Sequence, residues 1–272
     1  MSNLRVVDIE TGEDLTAEHK IINRKQVEAY KRKLRNEEAR LKGREIDFTF
    51  SVMDALHEVT SVLTNAQCGY MLVLQGYMNY DGVLVNPDNT LMKTSDMMDV
   101  LNLREKTSTF YDFLNKALAN RIILRNDDGS YSINQRYHFR GPIKGRQAVK
   151  SFTRSVRKAF AENRPEDLGL IYRMLPFVNL RTNTLCHNPY ETVPERVQPL
   201  KAKELAEVIG VAPATLSRRV SEWTFNGEYV LAKVKVGKRT QYMFNPWIIY
   251  RGSIVPDDTA RAIFAIKPTS KN

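Results

Sequence analysis

The sequence predicts a mainly α fold with some α+β character: two tandem winged helix-turn-helix domains behind a long N-terminal helix. Three observations predict it. The order helix, short strand, helix, turn, helix, β-hairpin is written twice, from Leu63 to Phe139 and from Glu166 to Phe244. The two copies end alike, "SYSINQRYHFRG" at Ser130–Gly141 and "QYMFNPWIIYRG" at Gln241–Gly252; Tyr131, Asn134 and Arg140-Gly141 recur 111 residues later as Tyr242, Asn245 and Arg251-Gly252. A charged, proline-free run, residues 17–44, precedes both.

Each element has a local reason. Residues 1–16 read as a short strand pair or a loose arm around Thr11-Gly12. In 17–44, Val27, Leu34 and Leu41 recur every seven residues with Tyr30 between the first two, a narrow apolar stripe on a polar helix. Such a stripe packs on the body or, through residues 20–44, on a second copy in a homodimer. In the first copy, Thr64 and Gln67 make a capping box before an apolar run of helical length. "TSDMMDVLNL" and "REKTSTFYDFLNKALANR" read as two helices around a tight turn, and the Asp-Asp-Gly of "RNDDGS" as a hairpin tip. In the second copy "EDLGLIYRMLPFVNL" is the first helix, with Asn179 where Asn79 stood, and Gly210 is the turn between "KAKELAEVIG" and "VAPATLSRRVSEWTF". The spacing between copies drifts from 100 to 111 residues. Between them, Lys144–Phe160 holds six basic residues and no acidic one. At helical period Arg146, Lys150, Arg154 and Arg157 share one face, and Val149, Phe152, Val156 and Phe160 another. The expected division is an arm and helix at 1–48, domains at 49–143 and 165–252, a basic linker helix at 144–164, and a tail at 253–272 ending in disorder.

A formal net charge of +10 on 272 residues suits a polyanionic partner, nucleic acid before an anionic membrane surface. No apolar run is long enough to span a bilayer, and the N-terminus lacks the pattern of a secretory leader. Two cysteines in apolar sequence, Cys68 and Cys186, fit a reducing cytoplasm. Cys186-His187 has no ligand-spaced companion, so no metal is expected.

The second helix-turn-helix carries the sharper binding signal. Leu216, Val220 and Trp223 pack its second helix down, which leaves Thr215, Ser217, Arg218 and Arg219 toward the outer face. Short polar groups reach phosphates and base edges, and an arginine fork matches guanine O6 and N7. In the wing "KVKVGKRTQ", Lys233, Lys235, Lys238 and Arg239 would hold phosphates. The first copy offers Arg104, Lys106, Thr107, Ser108 and Thr109, but Asp127 and Asp128 at its hairpin tip repel phosphates. That copy reads either as a second DNA contact or as an interaction domain. The basic stretch would add Arg146, Lys150, Arg154 and Arg157 as phosphate contacts. "VVDIETG" at Val6–Gly12 is similar to the Asp-x-Glu motif of DnaQ-type exonucleases, but no alternating β/α pattern follows, and a polar turn explains it. No Walker A loop or G-x-S-x-G occurs, so neither enzyme activity nor a cofactor is expected.

The segment "LKAKELAEVIGVAPATLSRRVSEW", followed by a hairpin and "YMFNPWIIYRG", resembles the winged-helix core of RepL-type replication proteins of Firmicute plasmids. "MNYDGVLV", "YHFRG" and "LPFVNLRTNTLCHNP" are similar to tandem proteins of phages and mobile elements of Bacillus and its relatives. The resemblance covers residues 60–252 and is looser in the first copy, where Gln135 stands in place of Pro246. It implies a sequence-specific binder of double-stranded DNA, acting in replication initiation or transcriptional regulation of a phage or plasmid in the cytoplasm of a bacterial host. The alternative is an adaptor that binds host replication or transcription proteins through the acidic first hairpin and the heptad helix.

Overall fold

The computed structural model describes residues 5–16, 27, 30, 34, 47–225, 227–236, 239–252 and 262–264. By contact the chain divides into two units, Met1–Arg44 and Glu45–Asn272. In the first, Val7 bridges Asp14 in antiparallel sense around Gly12, whose φ of 74° is left-handed. Val27, Tyr30 and Leu34 are helical, the latter two exposed. The rest of the expected helix, and most of the 20–44 dimer contact, lies outside the described residues.

The second unit opens with strand β1 (Phe48–Val52) and helix α1 (Leu56–Val62). Helix α2 (Asn65–Leu74) follows, started by the predicted capping box: Thr64 Oγ1 accepts from Gln67 N, and Gln67 Oε1 accepts from Thr64 N at 3.1 Å. A 3₁₀ turn and an isolated strand bridge lead to α3 (Thr94–Val100) and α4 (Thr107–Ala119). Hairpin β2 (Ile123–Arg125) and β3 (Tyr131–Ile133) and return strand β4 (His138–Phe139) close the copy.

The second copy repeats this order. It has β5 (Ala148–Phe152), α5 (Thr153–Glu162) and α6 (Pro165–Met174), whose first turn carries Pro165, Glu166 and Asp167. Then come α7 (Ala202–Ile209) and α8 (Pro213–Glu222), with left-handed Gly210 at φ 72° capping α7. A short ribbon, β6 (Thr224–Phe225) with β7 (Glu228–Tyr229), precedes hairpin β8 (Leu231–Val236) and β9 (Arg239–Phe244) and return strand β10 (Ile249–Tyr250).

The two copies are related by an internal two-fold. A four-stranded antiparallel sheet runs β10-β5-β1-β4. At its centre Phe48 faces Phe152, Phe50 faces Lys150 and Val52 faces Ala148, a register that maps onto itself when positions 100 apart are exchanged. The flanks obey the same exchange: Phe50 and Ser51 pair with Phe139 and His138, while Lys150 and Ser151 pair with Tyr250 and Ile249. Beside the sheet, α2 packs on α6 through reciprocal glycines. A Cβ on Gly69 would sit 2.0 Å from the Pro165 carbonyl oxygen, and one on Gly169 would sit 1.7 Å from that of Asn65. Only glycine admits so close an approach of backbones. One continuous hydrophobic cluster, from Met53 and Leu72 through Phe110, Leu168 and Tyr172 to Trp223 and Phe244, draws on both copies.

Two expectations are corrected. The fold is α+β, about 40% helix and 21% strand among the described residues, and not a mainly α pair of tandem winged domains. Its central sheet takes two strands from each copy, so the sheet and core bind the halves together. The basic stretch 144–164 is not one linker helix either. Lys144 and Gly145 turn at positive φ, Ala148–Phe152 is a strand, and the helix begins at Thr153. Val149 and Phe152, expected on one helix face, therefore point to opposite faces of β5. In the tail, Ala262 and Ile263 are helical and Phe264 is buried; the remainder, including the expected disordered end, lies outside the described residues. Among the described residues no helix is long and apolar enough to cross a membrane.

Candidate nucleic-acid interface

In the second copy Leu205, Ala206 and Ile209 of α7 and Leu216, Val220 and Trp223 at α8 are buried, which fixes the rotation of α8. Ser217 and Arg218 are exposed, and Thr215 is half-buried. Arg219 turns inward: its Nη1 donates to Asp167 Oδ2 of α6 at 2.7 Å, and the pair is largely buried. Burial raises the pKa of the Asp167 carboxyl, and Arg164 draws it back. Arg219 thus fastens α8 to the body and leaves the outer face, contrary to the sequence expectation.

Hairpin β8–β9 stands beside α8. Ser217, Val220, Tyr229, Lys233 and Tyr242 line a cleft of about 450 Å³ between them. Next to it His187, Gln198, Lys201, Glu204 and Thr240 line a second cleft, of about 800 Å³, which Lys233 and Tyr242 share. Lys233 and Lys235 are exposed and, two apart on β8, lie on one face. Lys238 and the Arg239 side chain lie outside what is described, though the Arg239 backbone pairs with Val236. Lys201 and Tyr229 were not singled out from sequence. The signal for Lys201 was its place three residues before Glu204, whose Oε2 accepts the Lys201 N–H at 2.7 Å at the start of α7.

In the first copy Asn102, at φ 53°, makes the turn after α3. Lys106, Thr107, Ser108 and Thr109 are all exposed at the start of α4. Arg104 is exposed too, but pairs with Asp99 of α3, which offsets its charge. At the hairpin tip Asp128 accepts from the Ser130 hydroxyl and N–H, which holds its pKa below the usual value and keeps the tip acidic.

The four arginines and lysines of the basic stretch do not form a stripe. Arg146, in the turn, lies over the Phe139 ring at 4.6 Å and donates to the Gln135 carbonyl at 3.1 Å. Lys150 on β5 is only 8% exposed; it donates to the Gly252 carbonyl at 2.6 Å between the rings of Phe48 and Tyr250. Arg157 on α5 donates to the Gly76 carbonyl at 2.8 Å and stacks over Tyr77 at 4.4 Å. Arg146 and Arg154 are exposed, but on different elements. Lys150 and Arg157 hold the fold and are not placed to grip phosphates.

Elsewhere, Asp8 Oδ1 accepts from the Glu10 and Thr11 N–H groups at 2.8 and 3.0 Å, so this carboxylate caps its own turn. Burial pushes the Cys68 and Cys186 thiols up to about 11. Among the described residues no cluster of three or more His, Cys, Asp or Glu could hold a metal ion. Compared with protein-family models, with curated proteins and with solved structures, the chain matches none.

Proposed function

We propose that the protein is a non-enzymatic, sequence-specific binder of double-stranded DNA, acting in replication initiation or transcriptional control of a phage or plasmid. One observation carries the DNA reading. Ser217 of α8 and Lys233 of β8 line one cleft, and Arg218 and Lys235, next along the same helix and strand, are exposed, on a chain of net charge +10. A helix that presents a hydroxyl and a guanidinium suits base edges in a major groove. A neighbouring strand with exposed lysines two residues apart suits the phosphates beside it. The role on a mobile element rests on the likeness of the α7–α8 segment and its closing "YMFNPWIIYRG" to RepL-type proteins.

The test is duplex binding across a salt series. The log-log slope should be about −0.9 per neutralised phosphate, and Lys233→Ala and Lys235→Ala should each flatten it by about one. Arg218→Ala should cost about 1–3 kcal/mol on the preferred site and relax its sequence preference. Unchanged affinity and slope in the triple variant would sink the reading. Footprinting on the DNA element that encodes the protein separates the two roles: protection at an origin supports replication, and protection at promoters supports regulation.

A further inference from the structure

The internal two-fold has a consequence for what is bound. In a symmetric dimer an isologous contact pairs residue i with j and j with i. This chain builds such a contact within itself: Gly69 meets residue 165 and Gly169 meets residue 65, while β1 and β5 pair in a register that survives exchange of the copies. In each copy the helix before the hairpin is tied to that axis from a matching position on α2 or α6, residues 67 and 167, 100 apart. Gln67 Nε2 of α2 donates to Asp112 Oδ2 of α4 at 2.7 Å, and Asp167 Oδ2 of α6 accepts from Arg219 of α8 at 2.7 Å. So α4 and α8 are each anchored, from matching places on α2 and α6, to a shared core.

Reading helices related by a dyad meet inverted half-sites on a duplex. The two helices present different chemistry. Lys106, Thr107, Ser108 and Thr109 are exposed at α4, and Ser217 and Arg218 at α8 beside Lys233 and Lys235. Resting on the DNA-binding reading, we infer that one copy of this chain reads two inverted half-sites of unequal sequence on one duplex. The Arg218 half favours guanine and the α4 half is read through hydroxyls. Because one core and one sheet join the copies, the spacing between half-sites is fixed.

The experiment is selection of bound duplexes from a randomised pool by the full-length protein, with native mass measurement of the selected complex. The expected result is two inverted, unequal half-sites at one spacing with one chain per duplex. Arg218→Ala should erase preference in one half only, and Thr107→Ala/Ser108→Ala in the other only. These side chains are exposed, and melting curves confirm that the variants fold. Inserting about 5 base pairs, half a turn, between the half-sites should weaken binding tenfold or more. Direct repeats, a single half-site, tolerance of the insertion, or two chains per duplex would overturn the inference and leave DNA binding standing. A single half-site that responds to Arg218→Ala alone would assign the first copy to a protein partner. If the pool yields no enriched duplex, the DNA reading falls, and this inference with it.

Discussion

Ser51 and Ser151 hold the same place in the two central strands, yet their hydroxyls fare differently. Ser51 Oγ lies 3.0 Å from His138 Nδ1 and donates to Gln75 Oε1 at 3.1 Å, and His138 Nε2 lies 2.7 Å from the Tyr172 hydroxyl. Ser151 Oγ is buried without a hydrogen-bond partner among the described residues. The cause lies in the residues that two-fold exchange brings to it. Ile249 stands where His138 does, Leu175 where Gln75 does, and Leu72 where Tyr172 does. One backbone plan therefore carries a buried polar network on one side of the axis and plain apolar packing on the other. The duplication constrains strand register and helix approach, and leaves the buried chemistry of each copy free to differ.

Acid is the strongest way to set the copies apart. Burial depresses the His138 pKa from 6.5 to about 3, so the folded state holds a neutral ring. The unfolded chain takes up a proton near pH 6.5. The stabilisation is thus complete above that pH and is lost as pH falls toward about 3, at roughly 1.4 kcal/mol per unit. Between pH 6.5 and 3.5 this residue alone should remove about 4 kcal/mol, seen as a steep fall in urea-unfolding free energy. Installing the second copy's chemistry, with His138→Ile, Tyr172→Leu and Gln75→Leu together, should remove that component. An equally steep acid profile in the triple variant would show that the histidine is not its source.

The glycine contact should respond equally from both sides. A methyl group on either glycine meets a backbone carbonyl, which cannot rotate away as a side chain can. Gly69→Ala and Gly169→Ala should each cost about 3 kcal/mol or more, since relief requires α2 and α6 to separate. Urea midpoints at pH 7 measure both. A silent substitution at one position with a severe one at the other would break the two-fold description of the interface.

What was legible in the sequence had local causes. The echo that ends each copy does the same work twice. Asn134 Nδ2 donates to the Arg121 carbonyl and its Oδ1 accepts the Arg136 N–H; Asn245 Nδ2 donates to the Tyr229 carbonyl and its Oδ1 accepts the Trp247 N–H. Arg140 reaches the Gly76 carbonyl in the 3₁₀ turn Gln75–Tyr77, and Arg251 reaches the Val178 carbonyl just after the 3₁₀ turn Leu175–Phe177. The Thr64 box and the Gly210 turn were likewise visible. Strand β5 was not, because its partner lies 100 residues away in β1 and a five-residue stretch satisfies the helix and strand periods alike. Lys150 looked like one more cation in a basic run. Its partners come from Phe48, Tyr250 and Gly252, so only the assembled sheet shows it to be buried. At the candidate site, Arg218 and Arg219 are adjacent and chemically equal in sequence, and the carboxylate that separates their roles sits on another helix.

That division between neighbouring arginines provides the smallest and most discriminating test of the copies. Arg219 answers a buried carboxylate, whereas its counterpart link in the first copy joins the amide of Gln67 to Asp112, which is exposed. Removing a partner from a buried charge leaves that charge costly, while neutralising an exposed carboxylate leaves an oxygen that still accepts from the amide. Arg219→Met should therefore destabilise by about 2 kcal/mol, and Asp112→Asn, which leaves the Gln67–Thr64 capping box intact, by about 1 kcal/mol or less, in urea unfolding at pH 7. Replacing Asp167 as well, in Arg219→Met/Asp167→Leu, should restore most of the loss, because no unpaired carboxylate then remains inside. DNA affinity per folded molecule should stay near that of the unaltered protein in the restored variant, since Arg218 and the β8 lysines keep their places. If affinity instead falls as far as in Arg218→Ala, Arg219 contacts DNA after all, and the inward ion pair is not its working position.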